Sequence, residues 1–139
     1  MVYIGIDPGT HTGLAIWDSP KEEFVIIDTL SIIQALDKVA RFYKDNNGLF
    51  DIMLLFEDAR QRTWYGHGNT NAKLQGAGSV KRDCNIWEEF CKEKGIPFRA
   101  IPPQKGGTKL TPQYFRLLTG YKGRTSEHAR DAAMLVFKR

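Results

Sequence analysis

Residues 50–56, FDIMLLF, form an almost uninterrupted apolar run that breaks off directly in Glu57-Asp58. A strand that faces water on one side alternates apolar with polar residues, whereas a run apolar at nearly every position needs cover on both faces. The chain must therefore supply helices to both sides of a sheet. This strand lies in the sheet's interior, and it delivers carboxylates to its end.

The remaining elements follow from local signals. Residues 2–6 (VYIGI), 13–17 (GLAIW) and 24–30 (FVIIDTL) are short apolar or β-branched runs separated by DPGTHT and DSPKEE, which read as turns and predict a three-stranded meander. Ser31 precedes Ile32, Ile33, Leu36, Val39, Ala40 and Tyr43 at helical spacing, with Gln34 completing a capping box and Asn46-Asn47-Gly48 as the stop. After Glu57-Asp58 the sequence predicts a mobile loop to about Asn69, then a helix through Lys94 that is weakened by Gly76 and Gly78. Gly95 ends it. Residues 96–101 (IPFRAI) predict a fifth strand at the periphery, because Pro97 cannot donate to a ladder. Thr111 caps a short helix with Pro112 in its first position and Gly120 at its end, and a last helix starts near Thr125 or Ser126 and runs to the C-terminus. The order β-β-β-α-β-α-β-α-α predicts an α/β fold over residues 1–139, one domain built on a mixed five-stranded sheet with helices on both faces.

No apolar run approaches the ~20 residues of a spanning helix, and MVYIGIDPGT lacks the features of a signal peptide, so a cytoplasmic protein is expected. Cys84 and Cys91, seven residues apart on a predicted helix, are too distant for a bridge and have no neighbours at zinc-site spacing. Charge is unevenly distributed. Residues 1–58 hold four basic against ten acidic residues, and residues 59–139 hold 16 against six. Such an excess in the second part suits a polyanion, although a solvated basic face has the same composition.

Three acidic elements carry the chemistry. Asp7 ends the first strand in Gly5-Ile6-Asp7-Pro8-Gly9-Thr10, where a glycine admits backbone or a ligand at close range; a plain Asp turn is the alternative. Glu57 ends the apolar strand, while Asp58 points to the other face and is expected to be solvated or hydrogen-bonded outside the site. In Ser126-Glu127-His128-Ala129-Arg130-Asp131-Ala132-Ala133, His128 and Asp131 stand at i and i+3 and can meet one target, unless they form a surface pair. Three carboxylates and an imidazole suit Mg²⁺ or Mn²⁺. Two such ions about 4 Å apart can activate a water and stabilise the leaving oxygen of a phosphodiester.

GIDPGTHTGLAIW, the acid closing LLFED, the NAKLQGAGSV stretch and the terminal HARDAAML together resemble the RuvC-type Holliday junction resolvases of the RNase H-like superfamily, over nearly the whole chain. The resemblance implies an RNase H-like fold and a homodimer that makes paired nicks across a four-way DNA junction with two Mg²⁺ ions per active site, Mn²⁺ substituting. It casts Asp7, Glu57 and Asp131 as metal-holding catalytic acids. His128 stands where many members carry another acid and some carry His. Lys105 and Lys109 resemble the family's active-site lysines, with ordinary surface lysines as the alternative.

The sequence departs from the family after Glu57, where the position expected to hold a junction-wedging aromatic is Arg60. Arg60, Arg62, Trp64 and Tyr65 interleave basic and aromatic side chains, as phosphate contact and base stacking require, and either aromatic could take the wedge role or simply anchor the loop. Lys73, Lys81 and Arg82 add expected DNA contacts on the next helix. The helix bearing Trp87 and Phe90 is the expected dimer interface, unless its apolar face is core. The chain is short for a cellular member, which fits a compact phage or prophage version. The expectation is thus an endodeoxyribonuclease of recombination and repair, cutting branched DNA to leave 5′-phosphate and 3′-hydroxyl ends. Its rivals are a junction-binding module with weak or lost cleavage and an RNase H-like nuclease acting on RNA or an RNA–DNA hybrid. GIDPGTHTG also resembles the first phosphate loop of sugar-kinase and actin-type ATPases, but 139 residues leave no room for that fold's second domain.

Overall fold

A computed structural model describes residues 1–63, 71–105 and 109–139, with Ala72 and Lys73 described by their backbone alone. Strands β1 (Val2–Asp7), β2 (His11–Asp18), β3 (Glu23–Ser31), β4 (Ile52–Glu57) and β5 (Phe98–Ile101) form one sheet in the order β3-β2-β1-β4-β5. The first three are the antiparallel meander, while β4 runs parallel to β1 and β5 parallel to β4. The apolar run of β4 is accordingly interior, and β5, preceded by Pro97, is an edge.

Helices α1 (Ile32–Asn46), α2 (Asn71–Lys94), α3 (Pro112–Thr119) and α4 (Glu127–Val136) cover both faces. The capping box that opens α1 is formed: the Gln34 N–H donates to Ser31 Oγ at 3.2 Å and the Ser31 N–H donates to Gln34 Oε1 at 3.1 Å. Thr111 caps α3, Pro112 opens it, and Gly120 closes it at φ 72°, a left-handed conformation that costs glycine little. On one face Ile4, Ile6, Leu14, Leu54 and Phe56 pack against Val39 of α1 and Cys84 and Trp87 of α2. On the other, Ala15, Trp17 and Leu55 pack under Phe115 of α3 and Ala132 and Val136 of α4.

Three expectations are corrected. The last helix stops at Val136, where Phe137 leaves helical geometry to set its ring 5.3 Å from Trp17 and 5.9 Å from Phe24. The segment after Asp58 begins with a 3-10 turn, Ala59–Gln61, rather than open loop. Trp87 is fully buried in the core with Phe90 packed on it, so of the two readings of the apolar face of α2, interface or core, the core is the one observed. Burying a ring of that size stabilises the fold by about 2–3 kcal/mol. Cys84 and Cys91 are free thiols in the same core. Among the described residues no helix is long and apolar enough to cross a membrane.

Candidate active site

The pleat sorts the strand residues before any chemistry is considered. Ile4, Ile6, Leu54 and Phe56 face α1 and α2, while Tyr3, Met53 and Leu55 face α4. The period of two therefore carries Asp7 and Glu57 to the α4 face. The parallel register, Gly5 opposite Leu55 and Ile6 opposite Phe56, brings these acids to the ends of neighbouring strands.

The third element arrives because the sheet is carved to receive it. A Cβ on Gly13 would lie 1.9 Å from the His128 carbonyl oxygen, and one on Gly5 would lie 2.2 Å from that of Ala132. Ala129, Ala132 and Ala133, all buried, form the matching face of α4. Asp7 pairs with Gly13 across β1 and β2, so the helix start comes to rest over Asp7. There His128 Nδ1 sits 2.9 Å from Asp7 Oδ2. Ser126 caps the helix by accepting from the Ala129 N–H.

Arg130, only 8% exposed, fixes the loop that precedes α3. Its Nε donates to the Leu110 carbonyl at 2.8 Å, and Nη1 donates to the Thr125 carbonyl at 2.9 Å and to Thr125 Oγ1 at 3.2 Å. Lys109 is thereby held beside α4, where its ammonium pairs with Asp131 and lies 3.6 Å from Glu127.

Electrostatics mark the same place. Burial raises the Asp7 carboxyl to about 6, with Asp131 and Glu57 adding repulsion and His128 offsetting part of the rise. Burial likewise raises Glu57, opposed by the charges of Lys109 and Arg62 and reinforced by Asp131. Partial burial disfavours the charged form of Lys109, but Asp131, Asp7 and Glu127 outweigh it and hold the ammonium above its ordinary value. Perturbed carboxylates gathered at a cleft point to a functional site.

A cavity of about 640 Å³ opens over these groups, lined by Asp7, Glu57, His128 and Lys109 and, from β2 and α2, by His11, Leu74 and Lys81. Arg62 also lines it. Asp131 joins the group through Lys109, whereas Lys105 is exposed and outside the cavity lining. Arg82 lies on the surface beside Asp83, 3.2 Å away. Trp64 and Tyr65 fall outside the described residues, as does the side chain of Lys73.

Arg60 does not fit the expected phosphate contact. Its Nε and Nη2 donate to Asp58 at 2.7 and 3.0 Å, and Nη1 donates to Asn85 at 2.7 Å and to Glu88. The guanidinium is committed to a clamp between the end of β4 and α2. Asp58, 3% exposed, is the buried anchor and accepts also from Gln61 at 3.1 Å, so it is hydrogen-bonded rather than part of the acid site.

Three contributors were not legible in the sequence and a fourth only in part. The close backbone approach expected in Gly5-Ile6-Asp7-Pro8-Gly9-Thr10 did not name its partner, Gly13 gave no sign of the helix it admits, and Arg130 looked like one more basic residue. His11, whose ring lies 6.3 Å from that of His128, stood inside a quoted motif without a role.

The residues suit a divalent cation by donor chemistry: Asp7, Glu57 and Asp131 supply hard oxygens whose mutual repulsion a cation would relieve. Among the described residues no three His, Cys, Asp or Glu side chains are drawn together as a metal-holding group; Asp7 is paired with His128 and Asp131 with Lys109.

No family model matches the sequence, and no curated protein matches it. Among solved structures, the chain is similar to T. thermophilus RuvC in complex with Holliday junction substrate, with a TM-score of 0.59 and 17% identity over 99% of this chain and 92% of that one. The fold is RuvC/RNase H-like. The mixed five-stranded sheet and four helices expected from the sequence are those observed.

Proposed function

We propose that this protein is a divalent-metal-dependent endonuclease of branched DNA, with four-way junctions as its preferred substrate. The observation that carries the reading is the convergence of Asp7, Glu57 and His128 with Lys109 on one cavity, at the strand ends of a RuvC-like fold. Asp7, Glu57 and Asp131, with His128 as a nitrogen donor, are the residues that would hold the cation. A bound divalent cation would supply charge neutralisation of the phosphate and activation of the attacking water.

The chain's own groups define the rest. Glu57 and Asp7 come from rigid strand ends, so their carboxylates need little ordering when substrate arrives. His128 orients Asp7 through the Nδ1 contact. Lys109 brings positive charge to the cavity for the phosphate, and Arg62 and Lys81 extend it along the rim toward the neighbouring backbone. Water adds to phosphorus, the P–O3′ bond breaks, and the departing oxygen takes a proton, leaving a 5′-phosphate and a 3′-hydroxyl without a covalent enzyme intermediate. Paired nicks require two such cavities, hence a homodimer.

The existing pairs, Asp7 with His128 and Asp131 with Lys109, favour one second reading: a junction-binding module that does not cut. Asp7→Asn and Glu57→Gln separate the two. Under the proposal both variants retain junction binding and lose nicking by at least about a hundredfold. Nicking that survives both substitutions would remove the site assignment, and binding without nicking by the unmodified protein would favour the module.

A further inference from the structure

The ammonium of Lys109 lies among the acids of the site. It pairs with Asp131, lies 3.6 Å from Glu127, lines the cavity with Asp7 and Glu57, and its charge acts on both of those carboxylates. Its backbone neighbour is pinned by the Arg130 bond to the Leu110 carbonyl, so the side chain is the part that can move. A lysine stem is flexible, and its head is a compact point charge. A single ammonium offsets only part of the repulsion among three acids, whereas a divalent cation carries twice the charge and binds several carboxylate oxygens directly.

We propose that Lys109 is a resident counter-cation of the acid site, which a divalent ion must displace from Asp131 in order to bind. This rests on the metal-dependent reading above. Released from Asp131, Lys109 stays tethered at the cavity wall, where a substrate phosphate becomes its next partner. Cation entry and phosphate capture are coupled in this way: each favours the lysine position that the other needs. Cation affinity without DNA is correspondingly reduced.

The test is calorimetric titration of Mn²⁺ alone into the intact protein, into Lys109→Met, Lys109→Arg and Asp7→Asn, with melting temperatures in chelator as a check on folding. The Lys109 side chain is 62% exposed, so its truncation leaves the core untouched. Loss of a unit charge beside a divalent ion predicts binding on the order of tenfold tighter in Lys109→Met. Lys109→Arg, which keeps the charge, should stay near the unmodified affinity, and Asp7→Asn should bind weakly. Equal or weaker binding by Lys109→Met, with Asp7→Asn still impaired, would overturn the counter-cation role and leave the metal site standing. Absence of Mn²⁺ binding in the unmodified protein and in Lys109→Met alike would overturn the metal reading and this inference together.

Discussion

Asp7 and Asp58 show how one residue type acquires opposite roles from its surroundings. Asp7 is raised from 3.8 to about 6, chiefly by burial. The folded chain therefore retains a proton that the unfolded chain releases between about pH 4 and 6, so this group makes stability fall as pH rises through that window and stay lower above it. Asp7→Asn removes the penalty. In chelator at pH 7 the variant is expected to melt higher, by up to about 3 kcal/mol in equivalent stability, and to match the unmodified protein below about pH 4. An unchanged melting curve at both pH values would contradict it. Asp58 has the reverse sign. Burial would raise it, but the bonds from Arg60 and Gln61 prevail and hold it below the ordinary aspartate value. Its contribution is present above that value and lost as pH falls through the lowered one. Arg60→Ala strands a buried carboxylate and is expected to cost about 2–4 kcal/mol in denaturant unfolding at pH 7, with the loss shrinking in acid. A cost below about 0.5 kcal/mol would mean that the clamp is not formed.

At the level of elements, what could be read in advance was whatever depended on near neighbours in sequence. The capping box of Ser31 and Gln34, the Thr111-Pro112 start and the Gly120 stop each involve residues within a turn of one another, and each is observed where the sequence placed it. The acids at Asp7 and Glu57 were legible for the same reason, since strand ends follow from the local pattern. Features that depend on distant partners were not. Arg60 read as a DNA contact because its partners Asn85 and Glu88 lie 25 and 28 residues away. The glycine seat needs α4, more than a hundred residues downstream of Gly5 and Gly13, before it has any meaning. It carries a sharp prediction. Gly13→Ala sets a methyl against the His128 carbonyl, so α4 must retreat and take His128 away from Asp7. The melting temperature is expected to fall by on the order of 5–10 °C, together with loss of nicking. A variant that melts and cuts normally would show that α4 does not depend on this seat.

Over the whole molecule, the uneven charge of the sequence becomes a spatial arrangement. Asp7 and Glu57, from the acidic first part, line the same cavity as Arg62, Lys81 and Lys109 from the basic second part. The acids suit cation chemistry, and the basic residues suit the phosphate backbone around it. If three or more phosphates are neutralised on this rim, affinity for a four-way junction should fall at least about tenfold between 50 and 200 mM salt. Titrations that show no salt dependence would argue against a phosphate-tracking rim. The fold, a RuvC-like sheet with helices on both faces, leaves the chemistry itself to be measured. The most direct measurement compares nicking of a labelled four-way junction, the matching linear duplex and an RNA–DNA hybrid, each with Mg²⁺ and with chelator. Paired nicks are expected in the junction alone, dependent on Mg²⁺ and bearing 5′-phosphate ends. Cleavage indifferent to DNA shape, cleavage of the hybrid in preference, or cutting undiminished in chelator would contradict that expectation.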